Sequence, residues 1–179
     1  MYLISYGTRP ELIKLFPLIN IFKENNIDHK TIFTGQHEDL IKEFENLTHR
    51  PDFVLEKTMK HKQSINSLIY KIINESQKII NSYDCKVIIQ GDAASSFAVA
   101  LSAFNEGKEV IHVEAGLRTH NLRSPFPEEG FRKMISHISN IHFCPTIKSV
   151  ENLKNEGITE NVHLVGNTIV DSCAQIIEK

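Results

Sequence analysis

Apolar and polar residues alternate along this chain in two periods. Short β-branched runs read as strands: Tyr2–Tyr6 (YLISY), Lys30–Thr34 (KTIFT), Lys86–Gln90 (KVIIQ), Val110–Val113 (VIHV), Ile141–Cys144 (IHFC) and Val162–Val165 (VHLV), with a weaker one near Phe53–Leu55. Between them lie stretches of helical period: Glu11–Glu24, Glu38–Leu47, Ser64–Asn81, Ala94–Asn105, Pro127–Ile138, Ile147–Glu156 and Thr168–Lys179. Strand runs that are apolar on both faces and separated by helices predict a doubly wound α/β domain, its mostly parallel sheet covered on both sides. No linker, repeat or low-complexity tract interrupts the alternation, so residues 1–179 read as a single domain.

Composition narrows the function more than the fold. A chain of 179 residues with 41% hydrophobic content can bury a core of its own. Its 20 basic and 22 acidic residues are interspersed and leave a net charge of -2, a pattern suited to neither nucleic-acid tracking nor a polybasic membrane patch. The sequence has no apolar run of membrane-spanning length, and its N-terminus lacks the basic-then-apolar order of a leader. Cys85, Cys144 and Cys173 are odd in number and far apart, which predicts reduced thiols in a cytoplasmic protein. The histidines form no HExxH or similar constellation, so no metal is expected. With neither GxGxxG nor GxxxxGK[ST] present, no dinucleotide cofactor is expected either.

In a doubly wound sheet, ligands gather beyond the carboxyl ends of the strands, and the residues there are unusually polar. "GTRPELIK" reads as a tight turn into a helix that starts at Pro10, whose free N–H groups favour an anion. Arg9 and Lys14 would add cationic donors, although the plainer reading is an ordinary cap with solvated charges. Pro17 should bend that helix. Asp92, in "QGDAASS", stands where an N-cap would. Glu114, in "HVEAGLR", follows a buried run and needs a partner or a purpose; Arg118, four residues on, is a candidate partner. In "SPFPEEGFRK", Glu128 and Glu129 meet a helix start, with Arg132 one turn from Glu128. Taken together, the cations suit a phosphorylated ligand, and Asp92, Glu114 and Glu128 suit proton transfer. Elimination and addition at a sugar nucleotide would need both.

These segments also carry a resemblance. "GTRPE" with Lys14, "TGQH", "GD" after a strand, "HVEAGLRT", "PEE" with Arg132, and "GNTIVD" resemble, in this order, the non-hydrolysing UDP-N-acetylglucosamine 2-epimerases, from about Tyr2 to about Cys173. The resemblance implies a Rossmann-like domain, one half of a glycosyltransferase-B type fold with the active site between two domains. It implies interconversion of UDP-GlcNAc and UDP-ManNAc by anti elimination of UDP and its re-addition, without cofactor or metal. By position, Asp92, Glu114 and Glu128 match the catalytic carboxylates, and Arg9 and Lys14 match residues at the substrate and diphosphate end. His37, Arg118 and Arg132 join them as expected substrate-binding residues.

The chain also departs from that family. Ala93, Ala94, Ser95 and Ser96 stand where threonines are usual, Phe131 where an asparagine is usual, and Glu38 and Asp39 follow His37 where an activating second-ligand site has Gln-His-Arg. The family is about twice as long, so this chain is expected to be an N-terminal half that lacks the nucleotide-gripping domain. Alone, it should be inactive or weakly active. It would then need a C-terminal domain or subunit as partner. A homo-oligomer is a further possibility, with apolar surface around Gly116–Phe126 and the last helix left bare. Two other readings compete: a truncated non-catalytic binding module, and half of a split UDP-sugar glycosyltransferase.

Overall fold

The computed structural model describes residues 1–35, 50–55 and 63–177. In chain order the elements are β1 (Tyr2–Tyr6), α1 (Arg9–Glu24), β2 (His29–Phe33), β3 (Phe53–Val54), α2 (Ile65–Asn81), β4 (Lys86–Gln90), α3 (Ala94–Asn105), β5 (Val110–Val113), α4 (Glu128–Ile138), β6 (Ile141–Cys144), α5 (Ile147–Asn155), β7 (Val162–Leu164) and α6 (Ile169–Ile177). The strands form one seven-stranded sheet in the order β3-β2-β1-β4-β5-β6-β7. Every pairing is parallel, with Tyr2 opposite His29 on one side of β1 and opposite Lys86 on the other. The strand order reverses between β1 and β4. A crevice is expected at such a switch point.

Alternate strand residues supply two cores. Leu3, Ile32, Val87, Ile89 and Val110 pack against Leu68 and Ile72 of α2, Ala98 and Val99 of α3, and Phe131 and Ile135 of α4. Ile4, Phe33, Ile88, Ile111 and Val113 face the other way, onto Leu12, Leu15, Phe16 and Ile19 of α1. A period of two with apolar residues on both faces is what a sheet covered twice demands.

Helix starts explain most differences between the expected and observed boundaries. Thr8 caps α1 by accepting from the Glu11 N–H, while the Glu11 carboxylate accepts from the Thr8 N–H at 2.6 Å. This reciprocal cap starts the helix at Arg9, so Pro10 is its second residue rather than its first. Ser64 and Thr146 cap α2 and α5 in the simpler way. The helix expected over Glu38–Leu47 lies outside the described residues. Leu122, Phe126 and Val170 are exposed large apolar side chains in the regions where bare apolar surface was expected.

Candidate active site at the carboxyl edge of the sheet

Glu114 stands one residue past β5, its backbone in the left-handed region at φ 65. A non-glycine residue held there costs roughly 1–3 kcal/mol, and such residues concentrate at functional sites. Its side chain collects donors from three other elements. The Lys14 ammonium, one turn into α1, meets both carboxylate oxygens at 2.8 and 2.7 Å. Gln90, the last residue of β4, donates its amide N–H to Oε2 at 2.5 Å. Asn167, in the loop after β7, donates to Oε1 at 2.8 Å. Every one of these contacts is donated to the carboxylate, which uses its oxygens as acceptors throughout. Beside it lies a cavity of about 190 Å³, lined by Leu18, Val113, Phe143 and Val165 with Asn167 and Thr168 at its polar end.

A second ion-paired group sits across the β4 loop. Arg132 of α4 reaches Asp92 at 2.5 Å and Glu129 at 3.1 Å. Glu129 is fully buried and accepts the backbone N–H groups of Thr119 and His120, each at 3.0 Å. Burial pushes its pKa up, but those two N–H groups and the Arg132 guanidinium outweigh it and hold the pKa below its ordinary value. One side chain therefore fastens the loop after β5 to α4. Its neighbour Glu128 is half-buried and makes no side-chain hydrogen bond to a described residue.

The turn after β1 is built around a third carboxylate. Glu11 is buried and accepts from the Gly7 N–H at 2.7 Å, from Thr8, and from the Ser96 hydroxyl. Burial raises its pKa, opposed first by the Ser96 bond. The contact closes the start of α1 onto the start of α3 across the switch point. Only glycine fits at position 7, because a Cβ there would lie 2.0 Å from the Thr34 hydroxyl. Arg9 is exposed at the first position of α1.

The structure thus brings Lys14 together with Glu114, and Asp92 with Arg132, and places Glu128 beside the second pair on α4. It revises three local readings. Arg118 does not reach Glu114 or the edge: its side chain is 1% exposed and grips Glu156, the residue closing α5, with contacts at 3.0, 3.2 and 2.7 Å. The turn through Glu114 and Gly116, both at positive φ, carries it under α4, where it also donates to Ser136 at 2.9 Å. Asp92 is not a cap, since Ala93 holds that position and makes no side-chain cap bond. Arg132 bonds Glu129 and Asp92 rather than Glu128. Phe131 turns into the core and stacks on Phe97 with centroids 4.9 Å apart. His37 lies outside the described residues.

Gln90, Asn167, Glu129 and Glu11 were not singled out from the sequence for these roles. Only Glu11 had a local signal, the Thr-x-x-Glu spacing of a reciprocal cap. Among the described residues, no group of histidine, cysteine and carboxylate side chains is arranged to hold a metal ion, and no helix is long and apolar enough to cross a membrane.

A parallel sheet of this strand order, covered on both faces, with its ionisable groups on the carboxyl edge and no glycine-rich dinucleotide turn, defines a Rossmann-like α/β domain of the glycosyltransferase-B type. Within that class, the family model described as UDP-N-acetylglucosamine 2-epimerase matches residues 20–179, and the chain belongs to that family. It is 37% identical over 181 residues to the UDP-N-acetylglucosamine 2-epimerase of Campylobacter jejuni, with 99% of this chain and 47% of the relative covered. It superposes on the Neisseria meningitidis UDP-GlcNAc 2-epimerase bound to UDP-GlcNAc with a TM-score of 0.92 at 36% identity, covering 99% of this chain and 49% of that one. The Methanocaldococcus jannaschii UDP-GlcNAc 2-epimerase in complex with UDP-GlcNAc and UDP gives a TM-score of 0.91 at 38% identity, covering 100% and 51%. The chain therefore spans about half the length of the relatives it matches.

Proposed function

We propose that this chain is the N-terminal, reaction-side domain of a UDP-GlcNAc 2-epimerase, converting UDP-GlcNAc to UDP-ManNAc and back when joined to a nucleotide-gripping second half. The observation that carries the reading is the meeting of Lys14 and Glu114, residues 100 positions apart, at the carboxyl edge. Relatives whose structures hold UDP-GlcNAc or UDP support a UDP-sugar ligand. The chemistry calls for a base at the sugar C2–H and for positive charge at the departing diphosphate. Breaking C2–H and the C1–O bond to UDP gives 2-acetamidoglucal and UDP; re-addition with the C2 proton on the opposite face gives the epimer.

In this reading Asp92, Glu114 and Glu128 are the catalytic carboxylates. Two ammonium N–H groups of Lys14 are directed at Glu114, and the third is left for a phosphate oxygen. Arg9, exposed at the positive end of α1, serves the same diphosphate. Arg132 acts on the reaction through Asp92. The free thiols of Cys85, Cys144 and Cys173 fit a reducing, cytoplasmic setting. A second copy of the chain is a further candidate partner for the exposed Leu122 and Phe126.

The test is NMR of UDP-GlcNAc in deuterated water with the full-length protein. UDP-ManNAc carrying deuterium at C2 is the expected product. Sugar that keeps its C2 proton and configuration, with no glycal formed, would overturn the reading.

A further inference from the structure

Asn167 belongs to the "GNTIVD" segment, which the mechanism so far has not used. Its side-chain amide is committed at both ends. Oδ1 accepts the Ile169 N–H, the first of α6, at 3.1 Å, while Nδ2 donates to Glu114 Oε1 at 2.8 Å. Flipping the amide would break both bonds at once, so its orientation is fixed. The helix whose first N–H it holds is itself anchored on α1, where the Ser172 hydroxyl donates to the Ile13 carbonyl at 2.5 Å and Asn20 donates to Gln175 at 3.2 Å. Ile13 is the chain neighbour of Lys14, so the ammonium and the amide that flank Glu114 stand on two helices fastened to one another. Gln90 holds the carboxylate from the β4 side.

We infer that Asn167 is a positioning residue for Glu114: its amide, held by the first N–H of α6, fixes the rotamer in which Glu114 presents its carboxylate to a substrate proton. This rests on the function proposed above only for the word substrate; the positioning itself belongs to the chain. Two substitutions separate this role from support of the local turn. Asp and Ser both accept the N–H two residues on in such turns, so N167D and N167S retain the bond to Ile169. N167D, however, puts a second carboxylate against Glu114, and N167S withdraws the donor.

The first measurement needs no activity. The Glu114 carboxyl ¹³C resonance is followed against pH in this chain, with melting temperature as the control for folding. A like charge disfavours ionisation, so the N167D curve should lie about one unit above that of the parent, and N167S above it by less. In the full-length protein, N167D should lower kcat about tenfold at neutral pH, move the acidic limb of the rate profile to higher pH, and leave KM within about twofold. Coincident Glu114 curves in all three proteins, with folding intact, would overturn the inference whether or not the protein is an epimerase. An inactive full-length parent with displaced curves would sink the epimerase reading and leave the positioning role standing.

Discussion

Two ion pairs, drawn from one eight-residue stretch, have opposite characters. Glu114 pairs with Lys14 at the open edge of the sheet, with the two side chains 10% and 24% exposed. Arg118 pairs with Glu156 in a layer sealed beneath α4, and there the guanidinium is fully enclosed. The first pair joins a strained backbone position to a flexible ammonium with a donor to spare. The second has a planar fork satisfied by a carboxylate, a hydroxyl and the Leu117 carbonyl. A buried, fully bonded arginine supports the fold, whereas a partly exposed carboxylate ringed by donors can meet a ligand. Type and spacing of residues do not separate these cases; the direction of the turn between them does.

The contrast breaks most sharply at Glu114. In the full-length protein, E114Q should lower kcat/KM by about 10²–10⁴-fold, while urea unfolding of the variant stays within about 1 kcal/mol of the parent. R118A should do the reverse: it empties a buried site, leaves Glu156 with Lys133 as its remaining cation, and costs about 3 kcal/mol in urea unfolding, with any activity loss tracking the unfolded fraction. An R118A protein with parental stability and lost turnover would move Arg118 back into the site.

Gly116 divides the two regions and offers a smaller effect. Its φ is +83, and a Cβ there would sit 2.3 Å from the backbone carbonyl oxygen of Ser149. G116A should destabilise by about 2–3 kcal/mol, read as a lower denaturant midpoint at unchanged slope. A further effect is a dependence on pH. His112 and His142, cross-strand partners on the face under α4, are held neutral by burial, which lowers their pKa values to about 3 and about 4 from 6.5. Below pH 6.5 the unfolded chain takes up protons that the folded chain does not. Stability should therefore fall by roughly 1–2 kcal/mol per unit between pH 6.5 and 4.5, and H142Q should flatten that slope by about half. A profile flat over that range would contradict the sealed layer.

The parts of the molecule legible in the sequence are those with local causes. Strands β1, β4, β5 and β6 appear at their expected bounds because burial on both faces makes each a short, mostly apolar run. Lys14 and Glu114 stood out because each occupies a position with a local reading, a helix's first turn and a buried strand's end. Gln90 and Asn167 carry no such mark. They are ordinary amides, and only the parallel register and the loop after β7 bring them to one carboxylate. The pairing of Arg118 with Glu156 was not legible because positive φ at both Glu114 and Gly116 cannot be inferred from neighbouring residue types.

Glu128 and Glu129 look redundant in the sequence, but α4 turns about 100° per residue, so the two point in different directions. One is buried beneath the β5 loop, holding two of its N–H groups; the other is left without a partner on the described chain. Insertions and deletions should therefore be far more damaging here than substitutions. Removing one residue between Ser124 and Glu128 would shift which glutamate begins the helix, and the outward carboxylate would compete for the socket of the carboxylate that holds the loop.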